Sequence, residues 1–243
     1  MSEQVVLEGR LSVEAALRGG NREVHVVYIR EDKSRRETAH TERLAREAGV
    51  PVERKAAEFI DSHTQGKTHG GVIALVGQRK YQTLAELMPT TGTPFVVMLD
   101  GIEDPFNFGY ALRALYAAGV NGVVVRPRDW TSVAGIVARA SAGASELISL
   151  AEARSPLEAA RFFRERGLAV ACTAKRDAVS IYDADLTGPL FLVIGGEKRG
   201  MSTAILDQAD IRLWVPYGRT FAASLPTVAA AAVIAFEVMR QRR

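Results

Sequence analysis

From Pro94 onward the chain alternates short apolar runs with helix-forming stretches, and that alternation limits the fold more than any other feature. The runs are Pro94–Asp100, Gly122–Arg126, Glu146–Leu150, Leu168–Thr173, Leu190–Ile194 and Ile211–Val215. A run that is apolar at successive positions suits a strand buried on both faces rather than one. Helices between such strands act as crossovers, so the strands lie parallel in a sheet covered on both sides. Asp104-Pro105 predicts a helix start, with Asp as cap and Pro in the first turn, and Gly119 predicts its stop. Helices are likewise expected over Trp130–Ala142, from Ser155-Pro156 to Arg166, and from Pro226 to Arg240. Ala138, Ala140, Ser141, Ala142 and Gly143 are all small, which suits close approach of another element.

The first 80 or so residues carry a second pattern. Strand-like runs at Val24–Ile29, Val52 and Val72–Val76 alternate with helix-like stretches after Ser12, over Arg35–Ala48 and over Lys55–Ser62. A small α/β domain is expected over residues 1–78. Residues 79–93, with Pro89-Thr90-Thr91-Gly92-Thr93, read as a linker, and residues 94–243 as the larger domain. His69 sits in a turn before a strand, and packing there is favoured over a ligand role.

Charge and cysteine content narrow the function. A net charge of +3 permits an RNA partner without requiring one. Cys172 is the only cysteine, so neither an intrachain disulfide nor a cysteine zinc site is available; it reads as a small buried hydrophobe. The N-terminus lacks signal-peptide character and no apolar run reaches membrane-spanning length, so a cytoplasmic location is expected.

The run Leu190–Ile194 empties into Gly195-Gly196-Glu197-Lys198-Arg199-Gly200. A strand followed by glycines lets backbone amides approach a ligand. The spacing G-G-x-x-x-G fails the dinucleotide fingerprint. Gly195–Ser202 has P-loop spacing, but Met201 stands where the phosphate-binding lysine belongs, which argues against nucleoside triphosphate hydrolysis.

Two further blocks give the loop its context. Upstream, Asp104-Pro105-Phe106-Asn107-Phe108-Gly109 is followed by Arg113, and downstream Val215-Pro216-Tyr217-Gly218 precedes Ser224-Leu225-Pro226-Thr227. In order and spacing these three blocks resemble the motifs of the SpoU (TrmH-like) RNA ribose methyltransferases, over about the last 150 residues. The first matches D-P-x-N-x-G with Arg four residues on, and the second G-x-E-x-x-G. The third departs from S-L-N-x-S, with Pro226 at the Asn position and Val228 at the second Ser; Thr227 is a neighbouring stand-in. The N-terminal region is similar to the L30e-like RNA-binding domain of many SpoU enzymes, through Glu8-Gly9-Arg10, Gly49-Val50-Pro51-Val52 and Thr68–Ala74.

The resemblance implies a knotted SPOUT fold, a trefoil α/β knot that is a rare exception to the rule against threading. It implies an S-adenosylmethionine pocket from Ile194, Gly195, Gly196, Gly200, Val215, Pro216 and Leu225, and catalytic roles for Arg113, Asn107, Glu197 and Ser224. The expected reaction is methyl transfer to a ribose 2′-hydroxyl in structured RNA, with rRNA favoured over tRNA, by a homodimer and without a metal. Guanidinium stays protonated, so Arg113 would stabilise a developing alkoxide or hold phosphate rather than act as base. Asn107 and Arg113 are six residues apart, roughly 240° round a helix; to share a site, Asn107 should lie in the cap or loop. A non-catalytic RNA-binding protein that keeps the knotted fold is the alternative, and Pro226 is what keeps it open.

Overall fold

The computed structural model describes residues 4–64, 68–196 and 200–243. Two compact units emerge: residues 1–80 with 129–147, and residues 81–128 with 148–243.

The first unit begins β1 (Val5–Glu8), α1 (Arg10–Gly19), β2 (Val24–Arg30), α2 (Arg35–Glu47), β3 (Val52–Lys55), α3 (Ala57–Ser62) and β4 (Val72–Val76). Its sheet runs β1-β4-β2-β3, antiparallel except for the β2–β3 pair. Leu7, Val13, Val27, Ile29, Ala45 and Ala74 fill the core. A reciprocal capping box between Ser34 and Glu37 starts α2. The start of α1 differs from expectation. Its N-cap is Gly9 at φ 88°, a backbone conformation that side chains disfavour, and Ser12 lies buried in the first turn. His69 is a packed turn residue, its Nδ1 accepting from the Gly71 amide at 3.1 Å and its Nε2 lying 3.2 Å from Asp61.

The second unit opens with β5 (Phe95–Asp100), α4 (Pro105–Ala117) and β6 (Gly122–Val125). The chain then returns to the first unit through a 3₁₀ turn, α5 (Ala134–Ala140) and α6 (Ala144–Leu147). The small residues expected to admit a close neighbour do so here, and the neighbours are β1 and α1. A Cβ on Gly135 would stand 2.8 Å from the Val6 carbonyl oxygen, and one on Gly143 2.6 Å from that of Leu11. The predicted strand Glu146–Leu150 is corrected: Glu146 and Leu147 end α6, and β7 starts at Ser149. Glu146 is almost fully buried, with Arg22 Nε donating at 2.9 Å, the Ser145 hydroxyl donating at 3.0 Å and the Arg79 guanidinium as an ion-pair partner 3.6 Å away. A buried carboxylate needs such partners, and helical geometry brings it to them.

The rest of the second unit is β7 (Ser149–Glu152), α7 (Pro156–Arg164), β8 (Ala169–Thr173), β9 (Val179–Ser180), β10 (Leu190–Gly195), α8 (Thr203–Leu206), β11 (Ile211–Trp214) and α9 (Thr227–Gln241). The short β9 and α8 carry no sequence signal. All strands pair in parallel, in the order β7-β6-β5-β10-β8-β11-β9. From β5 the chain steps outward to β6 and β7, then crosses to build the other half. The order therefore reverses between β5 and β10, and a crevice is expected at their carboxyl ends. Every residue of β5 is buried. Cys172 is fully buried in this core, and burial pushes its thiol up to about 11. After β11 the chain lays α9 back along the sheet. The Thr227 hydroxyl donates to the Gly195 carbonyl at 3.1 Å, while Gln241 Nε2 donates to the Ala184 carbonyl at 3.1 Å. Between these anchors α9 packs on α4.

Candidate active site

The site is built on the ends of β5 and β10, where Gly195 pairs in register with Asp100. Asp100 is buried and accepts from Arg126 Nε. Beyond the strand ends there is no room for side chains. A Cβ on Gly196 would sit 2.7 Å from the Gly101 carbonyl oxygen and 2.9 Å from that of Asp100. On Gly195 it would meet the Gly200 backbone and the Met201 sulfur, each at 2.9 Å. Gly200 donates its amide to the Gly196 carbonyl at 3.1 Å.

Over this floor opens a cleft of about 970 Å³. Ile194, Gly195, Gly196, Gly200, Val215 and Leu225, six of the seven residues expected to bind cofactor, border it, as does Ser224; Pro216 does not. Thr227, the stand-in for the motif Asn, also borders it, as do Thr173, Trp214 and Tyr217, for which the sequence suggested no role at the site. The Tyr217 hydroxyl accepts from the Leu225 amide at 3.0 Å, which closes the loop after β11 on itself. A floor of bare backbone, apolar walls from Ile194, Val215 and Leu225, and a few hydroxyls suit a flat heterocycle with a polar tail, as S-adenosylmethionine has.

Pro226 is the N-cap of α9, at φ −60° and ψ 150°, and makes no side-chain cap. Its neighbour Thr227 supplies the polar side chain at this point, through the hydrogen bond to Gly195.

The expected catalytic residues are not all brought together. Asp104 caps α4 by accepting from the Asn107 amide at 2.8 Å, so Asn107 lies inside the first helical turn, not in the cap or loop. Arg113 lies exposed further along α4. The two stand on different flanks, about 9 Å apart along the axis, and neither borders the cleft. Glu197 lies outside the described residues.

Comparison with known proteins decides the assignment. Residues 94–236 match the model of the SpoU rRNA Methylase family. The chain belongs to the SpoU family. Residues 6–82 match a second description, RNA 2′-O ribose methyltransferase substrate binding. Together the two descriptions give the enzyme class, an RNA 2′-O-ribose methyltransferase. Among relatives, a protein of Pseudomonas putida named 23S rRNA (guanosine-2′-O-)-methyltransferase RlmB is 31% identical over 247 residues, covering 100% of this chain and 99% of that one. A protein of the same name from Photorhabdus laumondii is 33% identical, with 90% of each chain covered. Among solved structures, an AdoMet-bound rRNA methyltransferase from Sinorhizobium meliloti superposes with a TM-score of 0.80 at 23% identity, covering 98% of this chain and 87% of that one. The SpoU methyltransferase AviRb from Streptomyces viridochromogenes, in complex with AdoMet, also gives 0.80, at 22% identity over 98% and 90%. The knotted SPOUT α/β fold with a small N-terminal unit is thus the fold of this SpoU chain.

Proposed function

We propose that this chain transfers a methyl group from S-adenosylmethionine to the ribose 2′-oxygen of a guanosine in 23S ribosomal RNA, and that it works as a homodimer. The observation that carries the reading is the glycine floor at the β5–β10 switch point, where Gly196 packs against the Gly101 carbonyl and leaves room for a ligand over the backbone. The relatives that match at full length carry the 23S guanosine name. A ribosomal substrate supports a cytoplasmic location.

When bound, S-adenosylmethionine supplies an electrophilic methyl. The chain's own residues bind, orient and neutralise. Ile194, Val215 and Leu225 would hold the cofactor, with Gly195 and Gly196 leaving room for it. Ser224 and Thr227 border the cleft and would orient an entering ribose hydroxyl, whose alignment supplies much of the rate. Arg113 would neutralise the charge that develops on the 2′-oxygen as its proton passes to solvent water. Asn107 would hold the ribose.

Arg113 lies outside its own chain's cleft, and the dimer accounts for this. Phe106, Tyr110, Arg113 and Ala117 follow at three- and four-residue spacing on α4, all on one exposed stripe. Phe106 is 46% and Tyr110 48% exposed, and Val233 and Phe236 are exposed on α9, the helix that packs on α4. A two-fold contact across such a surface covers these rings and delivers Arg113 to a shared site. Phe236→Asp is expected to turn a dimer into a monomer at micromolar concentration in sedimentation, with loss of methylation. A variant that remains dimeric removes α9 from the interface.

The test of function is methylation of a 23S rRNA transcript, with the modified position mapped by reverse-transcription stops. One 2′-O-methylguanosine is expected. Arg113→Ala should lower the methylation rate about 100- to 1,000-fold, with cofactor affinity in calorimetry within about twofold of wild type. Undiminished transfer by Arg113→Ala would remove its catalytic role. Cofactor binding without transfer to any ribosomal RNA would favour the non-catalytic RNA-binding reading.

A further inference from the structure

The mouth of the cleft has a composition of its own. The loop that follows β11 carries Phe221, which at 62% is the most exposed large apolar side chain of the described chain. Its ring lies 6.1 Å from that of Tyr217, tilted by 53°. Tyr217 is fixed by its hydrogen bond from the Leu225 amide, so the pair is anchored at one end. Trp214, 42% exposed, borders the same opening. Lys175 and Arg176 reach it from the loop after β8, and Arg219 from the loop of Phe221 itself. All three cations are exposed and make no ion pair among the described residues. Asp177 is the only acidic side chain among the described residues that border the cleft.

We infer that this mouth is a nucleobase site: Phe221, backed by Tyr217, stacks the base of a single-stranded nucleotide, and Lys175, Arg176 and Arg219 hold its flanking phosphates. The inference rests on the methyltransferase reading above and adds the residues that present the nucleotide. Exposed rings interleaved with unpaired cations are the chemistry by which single-stranded RNA is gripped. A ring in water gains by covering one face with a flat base, and the tilt of the two rings leaves Phe221 with a free face. Phosphates on either side of the base meet the positive field of three side chains with one opposing charge. An adenine of the cofactor would instead need the floor, where the walls are Ile194, Val215 and Leu225 rather than exposed aromatics.

The experiment uses the full chain with S-adenosylmethionine at saturation and a ten-nucleotide RNA carrying 2-aminopurine. Wild type should bind the RNA and quench its fluorescence through stacking. Phe221→Ala should weaken RNA binding about tenfold and lose the quenching, while cofactor affinity in calorimetry stays within about twofold. Phe221→Trp should restore both. Arg219→Ala should reduce the salt dependence of RNA binding by about one unit of slope. Unchanged RNA binding and quenching in Phe221→Ala overturns the inference. So does a loss of cofactor affinity, which would place the ring on the cofactor, or a shift to monomer in sedimentation, which would place it in the dimer contact. Failure of wild type to bind S-adenosylmethionine at all would strike the methyltransferase reading instead, so the two failures are distinguishable.

Discussion

Gly196→Ala should weaken cofactor binding strongly in a protein that still folds. The added methyl would stand 2.7 Å from the Gly101 carbonyl oxygen and 2.9 Å from that of Asp100, closer than non-bonded atoms tolerate. Both contacts are backbone atoms at the end of β5, which is buried along its whole length, so the neighbour cannot swing away. The Gly195–Gly196 turn must move instead, and it is the floor of the cleft. Overpacking of this kind costs about 1–3 kcal/mol, and if the displaced floor passes that cost to the ligand, S-adenosylmethionine should bind up to about 100-fold more weakly, since 1.4 kcal/mol is a factor of ten. Calorimetric titration reads the loss. Gly188→Ala is the control, because nothing lies within 4 Å of a Cβ there; it should bind the cofactor as wild type does. Tight binding by Gly196→Ala would mean that the cofactor does not use this floor.

Glu146→Ala should produce the largest loss of stability, and it should fall on the first unit. The side chains of Arg22 and Glu146 are 6% and 2% exposed, and Arg79 closes on the same carboxylate at 3.6 Å. Removing the carboxylate leaves buried positive charge without its counterion, a change that costs roughly 3–5 kcal/mol. In a protein of this size the melting temperature should drop by about 10 °C. Cofactor affinity should hold within about twofold at low temperature, because the cleft is built wholly from the second unit. Calorimetric melting is the measurement; a drop below about 2 °C would show that water or a shifted Arg22 replaces the carboxylate. Gly19 makes the same point from the other side, since a Cβ there would lie 1.8 Å from the Glu146 carbonyl oxygen. That approach explains why a glycine ends α1, where the sequence alone shows only a helix stop.

Much of this was legible in the chain because it is local chemistry. The apolar runs at Phe95–Asp100 and Leu190–Gly195 can only be satisfied by burial on both faces, so the parallel sheet followed from them. Asp104-Pro105 starts a helix whatever surrounds it. The glycines after β10 announce a close backbone approach before its partner is known. What the sequence could not decide depends on contacts between distant segments. Residues 129–147 have the spacing of ordinary helix, and only the packing of Gly135 on Val6 and of Gly143 on Leu11 assigns them to the first unit. Glu146 begins an apolar run by composition, yet it ends a helix because Arg22 and Arg79, more than 60 residues away in the chain, supply the charge that lets it be buried. Thr173, Tyr217 and Thr227 enter the site because the strand order sets β8 beside β10 and returns α9 to the end of β10. The sequence by itself determined the elements and the backbone-lined loop, since these arise from propensity and from steric limits at single residues. The tertiary structure alone decided which strands are neighbours, and that choice brings the site's residues together, because sheet order is settled by burial summed over the whole chain.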